Sequence, residues 1–427
     1  ADVEKNLTDD FKSFAIRMKS SFVITGILLV AVLIFKPHNF IYAVPIVVLW
    51  GMGPFIAFNI SKEAGKEDDK LQGYELELLR QIARKTWAYY EDFVGEENNH
   101  LPPDNYQVIP YNALAQRTSP TNIGIYIISI LSARDFGYLS TSEMVKKIEK
   151  TITSIGKMEK WKGHLFNWYD TLTLEILRPY YISTVDSGNF ISYIITAREG
   201  LREYLKRPLI GREILMGLRD TLILLEDNDG IIRDDLYDLL CREKPLMNQL
   251  MDISQHIKNK QRDADAYCGW ERRFYDMADI ICREVESFFI TKPIMDKYEL
   301  DLEDKSLSEL KMLYKEILSK ARQESNEDLE KELLQKISNI DGLTDKINKL
   351  IKSMDDIVEA TEFTHLYDQK RHLFSIGYNM DEERLTNSYY DLLASEARVA
   401  SYIAIARREA PQKHWFKLAR SLTMIGD

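Results

Sequence analysis

The residues best suited to chemistry lie in two places. The first is the stretch Trp161 to Asp186 and the residues just after it, with the strings GHLFNWYDT (163–171) and YYISTVDSGN (180–189). A site that holds a sugar needs flat aromatic faces beside Asp, Asn and Arg side chains that bind hydroxyls. Trp168, Tyr169, Tyr180 and Tyr181 stand close in sequence to Asn167, Asp170, Asp186 and Asn189. The structural alternative puts Trp168 and Tyr169 in the core and makes Asp186 or Ser187 the cap of a following helix.

The second place is a helix predicted near residues 388–408. Tyr389, Leu392, Leu393, Val399, Ala400 and Ile403 mark its apolar face, and Glu396 falls on the same stripe. A carboxylate on a core-facing stripe must be paired or protonated, because burying a lone charge is costly. It is either half of a buried ion pair or an active-site group. Glycosyl transfer uses two such carboxyl groups, one as proton donor and one as base or nucleophile.

Other chemistries lack support. There is no GxxxxGK[ST] or GxGxxG for nucleotides and no GxSxG elbow. The histidines show no HExxH; His365 and His372, a heptad apart, are a weak zinc signal. Cys241, Cys268 and Cys282 are odd in number and form no CxxC, which argues against a disulfide framework and for a reducing compartment. We expect neither metal nor cofactor. With 56 Lys+Arg against 67 Asp+Glu the chain carries a net charge of -11, which speaks against nucleic acid as a partner.

The elements that must position these residues are helices, so an all-α fold is expected. An amphipathic helix is predicted over 74–93, then a polar, aromatic loop over 95–118. Ser119-Pro120 starts a helix well. Ile123, Ile125, Ile127, Ile128 and Ile130 make that helix apolar around most of its circumference, hence buried. A capping box, Ser140 to Glu143, opens the next, with Val145, Ile148, Ile152, Ile155 and Met158 on one face, hence half-wet. A mostly apolar helix from Ser187 and an amphipathic one near 212–225 repeat the alternation. An α/α toroid requires it: inner helices enclosed, outer helices wet on one side. Residues 226–361 break the rhythm. Leu333, Ile337, Ile340, Ile347, Leu350, Met354 and Ile357 follow a three-four spacing amid charges. That reads as an inserted hairpin or short coiled coil, either a solvated structural arm or a docking arm.

Near the start, 22–35 and 40–60 are uncharged and apolar, joined by Lys36-Pro37-His38-Asn39. About 20 apolar residues cross a bilayer, so 22–60 is expected to be a transmembrane helical hairpin contacting lipid. A signal peptide and a buried hairpin are the rivals. Residues 1–21 would lead in and 61–73 would be a charged linker. Arg17 and Lys19 before it, and Lys62, Lys66 and Lys70 after it, place both ends in the cytoplasm. The chain opens with Ala1, and its first methionine is Met18, which suggests a piece of something longer.

Eight strings carry a resemblance: LPPDNYQ (101–107), RTSPTNIG (117–124), ARDFGY (133–138), GHLFNWYDT (163–171), YISTVDSGN (181–189), LFSIGYN (373–379), YYDLLASEARVASYIAIA (389–406) and HWFKL (414–418). Together they resemble the glycoamylase-like region of bacterial cyclic β-1,2-glucan synthases, from about residue 74 onward. The preceding hairpin resembles the segment that joins this region to the membrane-bound glycosyltransferase domain. The family's proteins are large inner-membrane enzymes. A glycosyltransferase domain extends a β-1,2-glucan from UDP-glucose, a glycoamylase-like (α/α)6 domain closes it into a ring, and a phosphorylase-like domain trims its length. The resemblance implies an incomplete (α/α)6 toroid over 74–427, a β-1,2-glucan chain as substrate, and the glycosyltransferase and phosphorylase-like domains as partners on the same polypeptide. It implies Glu396 as the nucleophile of a retaining transfer, with the acid/base beyond Asp427, so that this piece alone is inactive. Arg117, Asp170, Asp186 and Tyr378 would line the sugar pocket, with Asn167, Trp168, Tyr169 and Asn189 beside them. A non-catalytic glucan-binding module and a β-1,2-glucan hydrolase are the alternatives.

Overall fold

The computed structural model describes residues 11–61, 71–111, 113–225, 231–241, 244–260 and 269–420. Lys62, Lys66, Lys70, Cys268 and the start of the charged arm lie outside them. The chain divides into two compact units, 1–73 and 74–427.

In the first unit, helices α1 (Phe11–Arg17), α2 (Lys19–Phe35), α3 (Phe40–Gly51) and α4 (Gly53–Ser61) follow one another closely. Among the described residues one run, Pro37–Ser61, is long and apolar enough to cross a membrane. At 17 residues α2 is shorter. It packs on α3, and the Ser21 hydroxyl donates to the Trp50 carbonyl at 2.6 Å. Phe11 of α1 meets Phe55 and Phe58 of α4 edge-on.

The second unit begins with α5 (Gly73–Phe93) and the antiparallel pair β1 (Tyr106–Gln107) and β2 (Ala113–Leu114). β3 (Arg117–Thr118) leads into α6 (Pro120–Asp135), which starts as its residues predict: Ser119 Oγ accepts the Asn122 amide at 3.1 Å, and Pro120 needs no partner in the first turn. At α7 (Thr141–Lys157) only half of the expected capping box forms. Ser140 Oγ accepts the Glu143 amide, but the Glu143 carboxylate turns to Lys146, and Glu284 covers the Ser142 amide instead. Short strands β4 (Lys160–Trp161), β5 (His164–Leu165), β6 (Tyr169–Asp170) and β7 (Tyr181–Ser183) shape the next loop, with β3 paired to β6. Helix α8 (Thr184–Tyr204) starts three residues before Ser187, and its cap is Ser183, which accepts the Asp186 amide at 3.2 Å. Neither Asp186 nor Ser187 is the cap.

Helices α9 (Glu213–Ile223), α10 (Ile231–Cys241), α11 (Leu246–Lys260), α12 (Gly269–Phe288) and α13 (Lys292–Lys297) follow. A reciprocal capping box, Ser306 with Glu309, opens α14 (Leu307–Gln323), which pairs with the 34-residue α15 (Glu327–Ala360). This pair corrects the expectation of a solvated arm. The stripe Leu333, Ile340, Ile347, Leu350 and Met354 is buried, because α15 packs on α7, α8 and α12 as well as on α14. It is a wall of the core.

Strands β8 (Tyr367–Asp368), β9 (Leu373–Ser375), β10 (Gly377–Asn379), β11 (Arg384–Leu385) and β12 (Tyr389–Tyr390) form two small sheets, β11-β10-β7 and β12-β9-β8. The helix expected over 388–408 is therefore corrected as well. Tyr389 and Tyr390 are strand residues opposite Ser375 and Phe374, and α16 (Arg398–Ala406) begins only after a turn. His414 of α17 (Lys413–Lys417) binds Ser401 Oγ at 2.7 Å and the His372 carbonyl at 3.0 Å, which holds the chain end on α16. The unit is mostly helical, with α6 against α8 its most extensive pairing and α15 and α16 on other sides of α8.

Candidate functional site

Three helices bring their N-terminal ends together. The Thr121 hydroxyl, in the first turn of α6, donates to Asp186 Oδ1, in the first turn of α8, at 2.6 Å. Asn189, one turn further along α8, reaches the same hydroxyl at 3.4 Å. On the other side of α8, Gly188 packs against Ala400 so closely that an added Cβ would lie 2.7 Å from the Ala400 Cα. That contact sets the first turn of α16, and the turn just before it carries Glu396. Backbone N–H groups at helix N-termini have no partner within the helix and favour negative charge, so this is a suitable end for carboxylates.

Glu396 is exposed. This corrects its reading as a group on a core-facing helical stripe: it sits in a turn before the helix, where it escapes the desolvation that a buried stripe would impose. Tyr390 lies within the electrostatic reach of both Glu396 and Asp186. Burial raises the Tyr390 hydroxyl above the usual phenol range, and the charges of Tyr181, Glu396 and Asp186 push it the same way. The hydroxyl is thus a proton-bearing donor near both carboxylates. Tyr181 itself exchanges a hydrogen bond of 3.0 Å with Thr386.

A second line of contacts runs outward from Asp186. Asn167, with its amide oriented to satisfy both neighbours, donates to Asp186 Oδ2 at 3.1 Å and accepts from Trp168 Nε1 at 3.1 Å. The Arg117 guanidinium lies 4.3 Å from the centre of the Trp168 ring and forms an ion pair of 3.0 Å with Asp104. The other Asp104 oxygen accepts from Asn122 at 3.1 Å. Asp186, Asn167, Trp168, Arg117, Asp104 and Asn122 thus form one continuous chain of contacts, with an indole face, amides and carboxylates of the kind that hold sugar hydroxyls.

Three expected members stand elsewhere. Tyr169 is 0% exposed, and its hydroxyl donates to the Glu159 carbonyl (2.6 Å) and accepts from the Phe166 amide (2.8 Å). It is a core residue and offers no face to a ligand. Asp170 lies across from Arg117 in the β3–β6 pair, but its Oδ1 accepts the Leu172 and Thr173 amides and so closes the turn that follows. Tyr378 is paired with the buried Ile182, on the face of its sheet opposite Tyr181; its ring stacks on Trp161 at 4.4 Å, with His365 at the edge of that indole. Sequence reasoning passed over Thr121, Asp104, Asn122 and Tyr390. Asp104 and Asn122 flank Arg117 in LPPDNYQ and RTSPTNIG, which was the one signal available. Among the described residues no group of three or more His, Cys, Asp or Glu side chains could hold a metal ion.

No known protein-family profile matches the chain. A curated relative does: the cyclic beta-(1,2)-glucan synthase NdvB of Rhizobium meliloti (strain 1021), 34% identical over 385 residues. The match covers 90% of this chain, and the chain spans 13% of the relative's length. The resemblance carried by the eight strings is borne out: along nearly its whole length, this chain is similar to one stretch of a cyclic β-(1,2)-glucan synthase.

Proposed function

We propose that this chain is the membrane-proximal part of a glycoamylase-like (α/α) toroid, with α6, α8 and α16 as inner helices, that closes linear β-1,2-glucan into rings. The longer polypeptide would be a cyclic β-1,2-glucan synthase of a bacterial inner membrane. Residues 22–60 would cross the membrane as a hairpin, with the toroid on the cytoplasmic side. The observation that carries this reading is an exposed carboxylate, Glu396, at the shared N-terminal end of three helices, beside an amide-and-indole surface, in a chain similar to such a synthase.

In the proposed reaction Glu396 attacks an anomeric carbon of the bound chain. The glycosidic bond breaks, the leaving sugar oxygen takes a proton from a general acid, and a glucosyl ester forms on Glu396. The 2-hydroxyl at the far end of the same chain then attacks, returns its proton to that group, and frees Glu396. Asp186 suits holding substrate better than proton transfer, because both of its oxygens already accept hydrogen bonds. The acid/base is assigned to another part of the longer polypeptide.

The test is to incubate the whole synthase with linear β-1,2-glucan. We expect glucosidase-resistant rings without new reducing ends, and loss of about a thousandfold or more in rate for Glu396→Gln. New reducing ends would make it a hydrolase. Full activity of Glu396→Gln would remove Glu396 from the chemistry and leave a glucan-binding module.

A further inference from the structure

Between Asp104 and Arg117, both in the contact chain described above, the polypeptide makes an excursion of twelve residues, NYQVIPYNALAQ (105–116), without a single charge. In a chain that is 29% charged, a surface loop of that length ordinarily carries three or four charges. The base of the excursion is firmly closed. The Asp104 amide donates to the Arg117 carbonyl at 2.7 Å, the Ala115 amide donates to the Asn105 carbonyl at 2.9 Å, and β1 pairs with β2. Its outer part is apolar and open to solvent: Tyr106 is 42% exposed, Val108 63%, Ile109 89% and Tyr111 75%.

Apolar side chains left in water at a loop tip mark a contact surface. What they contact is narrowed by three observations. The absence of charge fits a neutral occupant. Gln107 supplies an amide that both donates and accepts, as hydroxyl groups require, while Asn105 and Gln116 each commit one amide atom, to Asp104 Oδ2 and the Thr171 hydroxyl respectively. The ring of Tyr106 is stacked on Phe93, 5.4 Å between centres and 19° from parallel, and Phe93 is held in turn by Tyr89, whose hydroxyl donates to the Pro103 carbonyl at 3.0 Å. One face of Tyr106 is therefore backed and fixed, while the ring keeps access to solvent, so little side-chain entropy remains to be lost when a flat partner lands on it.

We propose that the hairpin 105–116 is an outlying binding surface for the glucan chain, with Tyr106 as its stacking platform and Tyr111 as a second contact at the tip. It continues the Arg117–Trp168 line outward, and the sugar units it takes are those several residues away from the bond being broken. The inference rests on the proposed function of the site, since a glucan must first be its ligand. It assigns to the hairpin a specific consequence: long chains are bound more tightly than short ones, and the difference resides in Tyr106 and Tyr111.

The experiment uses the full chain, purified in a detergent without a sugar headgroup, titrated calorimetrically with β-1,2-glucotriose and with long linear β-1,2-glucan. The wild type is expected to prefer the long chain. Tyr106→Ala should weaken the long chain about fivefold to tenfold, as losing one stacked aromatic contact does, and leave the trisaccharide within about twofold. Tyr106→Phe should keep wild-type affinity for both. Tyr111→Ala, at a site exposed enough to spare the fold, should lose about threefold for the long chain alone. Unchanged long-chain affinity in both alanine variants overturns the proposal, and the same result with a change in sedimentation would give the tip to a protein partner instead. A wild type that binds neither glucan refutes the reading of the site itself, and this inference with it.

Discussion

The placement of Glu396 depends on one glycine. A Cβ on Gly188 would lie 2.7 Å from the Cα of Ala400 and 2.9 Å from its backbone nitrogen. Carbon atoms in contact settle about 3.5–4.0 Å apart, so Gly188→Ala must drive α16 away from α8 by about 1 Å. The Ala400 Cβ lies closer still, and because the other two obstructing atoms are backbone, no rotamer change relieves the overlap. Two consequences follow. Overpacking of this kind costs about 1–3 kcal/mol. With an unfolding entropy of roughly 2.1 cal/mol/K per residue over a unit of about 350 residues, 2 kcal/mol lowers the melting temperature by about 3 °C. On the proposed mechanism the effect on rate is larger, because a reacting group displaced by about 1 Å loses on the order of a hundredfold, and Glu396 rides on the turn that enters α16. Ring formation by the whole synthase measures the second effect and a thermal melt the first. Gly200→Ala is the control. It lies on the same helix, but its Cβ would meet only the end of the Leu131 side chain, at 2.9 Å, on the side of α6. It should melt a little lower and turn over normally. Adding Ala400→Gly to Gly188→Ala should restore little, since the backbone contacts remain. Wild-type turnover in Gly188→Ala would refute the claim that the α8–α16 contact positions Glu396.

Two other predictions concern stability. Burial holds the His164 imidazole down to about 4, against an ordinary 6.5, while its Nε2 meets the Glu362 carbonyl at 3.0 Å. Between those values the unfolded chain binds a proton that the folded chain does not. Stability should therefore be fully present above 6.5 and fall as the pH drops toward 4, by at most about 3 kcal/mol from this group. Urea midpoints at pH 7 and 4.5 should differ less in His164→Gln than in the wild type. Ile347→Ala should cost about 2–5 kcal/mol in a thermal or urea melt, since the side chain is fully buried in the wall that α15 makes; a loss under about 0.5 kcal/mol would return α15 to the solvated arm that its charges suggest.

Local signals were legible where local forces decide. The starts of α6 and α7 follow from Ser119-Pro120 and Ser140, whose hydroxyls bond backbone amides three residues on. The buried character of α6 follows from its isoleucines. What stayed illegible depends on partners far along the chain. A three-four stripe on α15 shows that one side is apolar, but only the structure shows that α7, α8, α12 and α14 surround it. Tyr389 and Leu392 fit a helical wheel with Val399, yet Tyr389 and Tyr390 find strand partners in β9, at Ser375 and Phe374, and pairing there outweighs helix continuation. In GHLFNWYDT the two aromatics look alike. Tyr169 goes inward because two backbone groups satisfy its hydroxyl, while Trp168 stays half-buried because Asn167 takes its N–H and Arg117 its face.

These corrections bear on how the site would work. With Glu396 in a helix-entry turn, what the proposed mechanism asks of the fold is to hold the carboxylate in line with a bound sugar, worth as much as about 7–11 kcal/mol where both partners are well oriented. The demands on the fold are therefore mainly geometric, and its parts answer them. Gly188 admits α16 to close contact, His414 ties α17 back onto Ser401, and the Asp186–Asn167–Trp168–Arg117 line fixes the proposed sugar-binding surface relative to the same helix end. On this argument, substitutions that alter charge near Glu396 while sparing these contacts should change the rate by less than about tenfold, and substitutions that spare charge but loosen the contacts should change it by more.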